Sequence, residues 1–73
     1  MPDMIEVFKT NVSEPGQAQL IAGKLQERFP AYRVHFDLED CDKILRIETT
    51  GINADEIISI LHASGFRCEV LPG

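Results

Sequence analysis

Sulfur is scarce in this chain. It has two cysteines, Cys41 and Cys68, and no Cys-x-x-Cys pair anywhere. That excludes a disulfide-built scaffold and a cysteine-rich structural zinc site, and in a reducing compartment both thiols are expected to stay free. Tryptophan is absent, and tyrosine occurs once. No apolar run approaches the roughly 20 residues that a membrane-spanning helix needs. The opening Met1-Pro2-Asp3 has neither the basic end nor the apolar stretch of a secretory signal, so a cytoplasmic protein is expected. Basic residues are few: seven Lys and Arg stand against twelve Asp and Glu, for a net charge of −5. They are also scattered, from Lys9 to Arg67, and form no stripe of the kind phosphate backbones require. Nucleic acid is therefore not an expected partner. The chain lacks a glycine-rich phosphate loop, a nucleophile elbow and a histidine metal motif. Its densest carboxylates, Glu39, Asp40 and Asp42, crowd one polar turn where water solvates them. No catalytic activity and no cofactor are expected.

What is present is a regular alternation of short elements in a single domain, residues 1–73, with an ordinary 44% of apolar residues. Met4 to Thr10 has strand composition, with Ile5 and Val7 on one face and Met4, Glu6 and Phe8 on the other. Ser13 or Glu14 is placed to cap a helix with Pro15 in its first turn, where a missing N–H does no harm. Ala18, Ile21, Ala22, Leu25 and Phe29 form its apolar stripe, and Pro30 ends it. Tyr32, Val34, Phe36 and Leu38 alternate with Arg33, His35 and Asp37, which predicts a half-buried strand. After a polar turn, Ile44 to Thr49 returns as the other arm of a hairpin, with Leu45 and Ile47 facing inward. Asn53 and Glu56 have capping-box spacing and open a helix carrying Ile57, Ile60, Leu61 and Ser64 on one face. Gly65 stops it, and Phe66 to Leu71 forms the last strand, with Phe66, Cys68 and Val70 on its core side.

Strand, helix, strand, strand, helix, strand is the order of an α+β, ferredoxin-like βαββαβ sandwich. Right-handed crossovers in each half predict an antiparallel four-stranded sheet in the order 4-1-3-2, with two helices on one face. The other face stays open. The exit of the first strand, the hairpin around Asp40–Asp42 and the Ser64–Gly65 turn then share one end of the molecule.

Val7, Ala18, Ile21 and Leu25, then Val34, Phe36-Asp37-Leu38 and Lys43 to Glu48, then Asp55 to Ile58 and Ala63-Ser64-Gly65-Phe66 running to Val70-Leu71, carry a family likeness. In these positions the chain resembles the heavy-metal-associated domains of copper chaperones and metal-transporting ATPases, the helix closed by Gly-Phe being its best single piece. The resemblance implies the ferredoxin-like fold. It also implies a soft-metal site of two cysteines in the first loop, where thiolates would select copper(I) or zinc. Aligned from Leu25, those positions hold Glu14 and Gln17 instead. Metal carriage by the family's mechanism is therefore not expected.

Three functional readings remain. In the first, the domain is a non-catalytic interaction module that meets a protein partner or a second copy through its open sheet face. Met4, Phe8, Ile44 and Leu71 would form an apolar patch there. In the second, a non-standard metal site gathers Cys41, His62 and Glu14 at the loop end. In the third, drawn from fold analogy alone, the domain binds a small regulatory ligand. Cys68 fits a core position beside Phe66 and Val70. Cys41 is flanked by Asp40 and Asp42, whose charge disfavours its thiolate. His35 belongs to a solvated charge ladder on its strand.

Overall fold

A computed structural model describes residues 4–39 and 41–71. Six elements follow one another: β1 (Met4–Thr10), α1 (Pro15–Arg28), β2 (Arg33–Asp37), β3 (Ile44–Thr49), α2 (Ala54–Ala63) and β4 (Cys68–Val70). The fold is α+β. All strand pairs are antiparallel, and the sheet runs β2-β3-β1-β4, which counted from the β4 edge is 4-1-3-2. Ala18, Ile21 and Leu25 of α1 and Ile57 and Leu61 of α2 join Phe8, Leu45, Ile47 and Cys68 in one core cluster. Both helices thus feed the same side of the sheet.

Each helix has local reasons for its limits. Pro15 occupies the first turn of α1, and Glu14 stands at the N-cap in extended conformation without a side-chain cap. The helix is held by its buried stripe rather than by its start. Phe29 closes it, its N–H donating to the Leu25 carbonyl at 2.7 Å, and Pro30 prevents continuation. At α2, the Asn53 side chain accepts the Glu56 N–H at 3.2 Å, which satisfies one of the unpaired first-turn donors. Its far end is a Schellman closure. The Phe66 N–H donates to the Leu61 carbonyl at 2.9 Å and the Gly65 N–H to the His62 carbonyl at 3.0 Å. Gly65 sits at φ +90°, and a Cβ there would meet nothing within 4 Å, so glycine answers to backbone conformation and not to space.

Tyr32 ties the end opposite the hairpin. Its ring stacks on Phe29 with centroids 4.4 Å apart, and its hydroxyl accepts the Asn53 N–H at 3.2 Å. Its carbonyl accepts from the Gln26 side chain. One residue thereby links the end of α1, the start of β2 and the start of α2.

The parity of β1 corrects the sequence reading. Phe8, assigned above to the open face, is completely buried in the core, and Ile5 and Val7 take the open face instead. The register decides this. Phe8 pairs with Leu45 and Glu6 with Ile47, both of whose side chains are core residues, and directly opposed residues share a face. Met4 follows the same parity toward the helix side, opposite Thr49, and is exposed only because it lies at the strand's start. Glu6 tolerates this side because it is only half-buried. Among the described residues β4 pairs with β1 over Phe8–Thr10, and the Leu71 N–H extends the contact to the Val7 carbonyl.

Candidate functional site

Two surfaces lie free of the core: the loop end, where the resembled family would hold its metal, and the open sheet face.

The loop end is closed by its own hydrogen bonds. Thr10 is buried, and its hydroxyl donates to the Lys43 carbonyl at 2.6 Å while accepting the Val12 N–H at 3.2 Å. The Thr10 N–H is shared between the Asp42 and Lys43 carbonyls, at 3.2 and 3.3 Å. Lys43 adopts φ +50°, a left-handed conformation that few side chains take, and its ammonium donates to the Leu38 carbonyl at 3.0 Å across the hairpin. Asn11 spends its side-chain oxygen on the Arg67 N–H at 2.7 Å, and Val12 is sunk into the core. The loop is therefore pinned at its start by Thr10, Asn11 and Val12, while Ser13 to Gly16 remain exposed.

Glu14 and Cys41 are exposed in separate loops, and His62 is exposed in the last turn of α2. Among the described residues no three His, Cys, Asp or Glu side chains come together in a group able to hold a metal ion. Glu14, Cys41 and His62 thus do not assemble one. Both cysteines are free, Cys41 exposed and Cys68 buried. Burial, reinforced by the neighbouring Glu69 charge, pushes the Cys68 thiol up from 9.0 to about 12.

Thr10 offers a direct test of this closure. Thr10→Val keeps the shape but leaves the buried Val12 N–H without its acceptor, and one unsatisfied buried donor costs about 1–3 kcal/mol. Urea unfolding is expected to show that loss for Thr10→Val and little for Thr10→Ser, which keeps the hydroxyl. Equal behaviour of the two would mean that the hydroxyl does not hold the loop.

The open face is a grid set by the registers. Arg33, Glu48 and Ile5 form one row; His35, Arg46 and Val7 the next; Asp37, Ile44 and Lys9 the third, continued by Glu69. Leu71 lies beside Val7, its N–H donating to the Val7 carbonyl at 2.9 Å. Ile5 is 57% exposed, while Val7 and Leu71 are half-buried. Of the four residues expected to form the apolar patch, Leu71 is in place and Phe8 and Met4 belong to the other side. Ile44 points outward as expected but is only 7% exposed, flanked by its cross-strand partners Lys9 and Asp37. Ile5 and Val7 are the residues that the sequence reading missed. Their β-branched alternation was the available signal, and the equal alternation of Met4 and Phe8 masked it.

Charges around this stripe are mixed. Arg33 pairs with Glu48 at 3.7 Å and Lys9 with Asp42 at 3.8 Å, all substantially exposed, so each contributes little to stability. No Phe or Tyr ring lies on this face among the described residues, since Phe8, Tyr32 and Phe36 take the other parity. No helix among the described residues is long and apolar enough to cross a membrane. Comparison with protein-family models, with curated proteins and with solved structures gives no match.

Proposed function

We propose that this chain is a non-catalytic interaction module on a ferredoxin-like scaffold, similar to heavy-metal-associated domains but without their thiolate site. It docks a protein partner through the Ile5–Val7–Leu71 stripe of its open face. Two β-α-β halves, an antiparallel sheet in the order 4-1-3-2 from the β4 edge, and helices sharing one core support the scaffold reading. Glu14 and Gln17, oxygen and amide groups where the family has thiolates, support the absence of its metal chemistry.

The observation that carries the docking reading is Ile5, a large apolar side chain 57% exposed on a central strand and continuous with Val7 and Leu71. Bordering charges of both signs, Arg46 and Lys9 against Glu48 and Glu69, suit a protein surface of mixed charge. They do not suit a polyanion, and no ring is present to stack on a base. Capture with the purified domain, comparing the native chain with Ile5→Glu and Leu20→Glu, tests this. Leu20 is similarly exposed, at 60%, but lies on α1. A partner held by the native chain and by Leu20→Glu but lost by Ile5→Glu is the expected result. Equal retention by all three would remove the open face from consideration.

A further inference from the structure

Among the described residues β2 is an outer strand of the sheet, paired only with β3. Its five residues, Arg33-Val34-His35-Phe36-Asp37, have a chemical order that reads alike from both ends apart from charge sign: cation, apolar, imidazole, apolar, anion. An antiparallel copy of the same strand, centred on His35, would place each Arg33 opposite an Asp37 and each Val34 opposite a Phe36. From this we infer that the outer edge of β2 is a self-recognition surface. Two copies of the chain pair β2 to β2 about a twofold axis and continue the sheet from one molecule into the next.

Both faces agree with this pairing. On the open face Arg33 and Asp37 are exposed. On the helix side Val34 and Phe36 are each left half-buried, packed against the core but not enclosed by it. A second copy covers that apolar row with its own. Asp37 has no ion pair among the described residues. The Arg33 side chain is 78% exposed in its 3.7 Å contact with Glu48, a solvated pair that gives way readily to a second carboxylate. The Gln26 side chain meets the chain at the Tyr32 carbonyl, one residue before the strand begins.

The same order rejects the alternatives. Opposed residues in an antiparallel pair share a face, so the register moves only in steps of two. Either step loses both Arg33–Asp37 pairs: one sets His35 against Arg33, and the other sets His35 against Asp37 and leaves Arg33 to meet Glu39 beyond the strand's end. A parallel arrangement aligns like with like, Arg33 near Arg33 and Asp37 near Asp37, which is repulsive. Outer strands usually carry charge to prevent pairing. Here the signs are ordered so that one arrangement is attractive. A five-residue edge buries little surface, so dimers are expected at roughly 10–1,000 µM rather than at nanomolar concentration.

Charge reversal reads this out with the whole chain. Sedimentation equilibrium over that concentration range should show a monomer–dimer equilibrium for the native protein. Arg33→Asp and Asp37→Arg, each alone, set like charges opposite one another and should each weaken dimerisation by at least about tenfold. An equimolar mixture of the two variants should regain association, because each Asp of one chain then meets an Arg of the other. The combined R33D/D37R chain should regain it as well, and circular dichroism establishes that each chain is folded. Monomeric native protein up to about 1 mM would overturn the inference. So would a dimer indifferent to both single reversals, or single variants that neither the mixture nor the combined change rescues. A dimer lost on Ile5→Glu but kept by Asp37→Arg also overturns it, since that places self-association on the open face. Loss of the edge dimer leaves the partner-docking role of Ile5 standing, so the two proposals fail separately.

Discussion

Phe8→Ala is expected to lower the unfolding free energy by about 3–5 kcal/mol, the range for emptying a fully buried aromatic site. Phe8 is completely buried on a central strand, with Leu45 opposite it on β3 and Val70 on β4. Its removal leaves a void between the sheet and both helices, because residues of α1 and α2 belong to the same cluster. A chain of 73 residues has a small core and a stability of only about 5–15 kcal/mol at most. The variant should therefore lose a large share of its stability and unfold at a much lower urea concentration than the native chain. Ile5→Ala, three positions earlier on the opposite face of the same strand, should change stability by less than about 0.5 kcal/mol. Urea denaturation of the two variants measures the difference. Similar midpoints would mean that β1 has the opposite parity, with Ile5 and Val7 inward. The consequence for function is direct. Phe8 variants would weaken any interaction by destabilising the domain, so they cannot report on an interface, and Ile5 is the position that can.

This strand also shows where sequence reasoning reaches its limit. Met4 to Thr10 is apolar at alternate positions on both faces, so periodicity identifies a strand and leaves its orientation undecided. Glu6 shares the face of Met4 and Phe8, and a carboxylate, which ordinarily marks the wet side, here stands half-buried on the core side. The deciding information is non-local: the pairing of Phe8 with Leu45 and of Glu6 with Ile47. β2 was legible because its alternation is strict and one-sided. Both ends of α2 were legible because Asn53 and Gly65 act on backbone groups a few residues away. The loop end was not. Its centre is a hydroxyl at Thr10 bound to the backbone of Lys43, a contact between distant residues that no composition rule foretells. Among the site residues, Leu71 and Ile44 kept their expected face, and packing by flanking side chains withdrew Ile44 from solvent.

At neutral pH the Cys68 thiol should react about a thousandfold more slowly in the folded chain than in the unfolded one. Only the thiolate attacks an alkylating reagent, and each unit of pKa is a tenfold change in its population. Burial, with the Glu69 charge added, moves Cys68 from 9.0 to about 12, which alone lowers its thiolate population by that factor. Closure of the core around a side chain only 6% exposed adds steric protection. Cys41, exposed in the hairpin, has no such shelter. Iodoacetamide labelling followed by peptide mass analysis should modify Cys41 within minutes and Cys68 only through unfolding. Denaturant should then bring the two rates together. The same shift makes stability depend on pH, and its sign is fixed. Between pH 9 and 12 the unfolded chain releases the Cys68 proton while the folded chain keeps it, so unfolding gains on folding as pH rises. The contribution is fully present below pH 9 and lost on approach to pH 12. Cys68→Ala removes this slope, and the difference between its unfolding midpoints and those of the native chain at pH 8 and 10.5 isolates the thiol from other titrating groups. Comparable labelling of both cysteines in the folded protein would mean that β4 is not seated against β1 as its pairing with Thr10 requires. The Leu71 end of the open-face stripe would then be displaced with it.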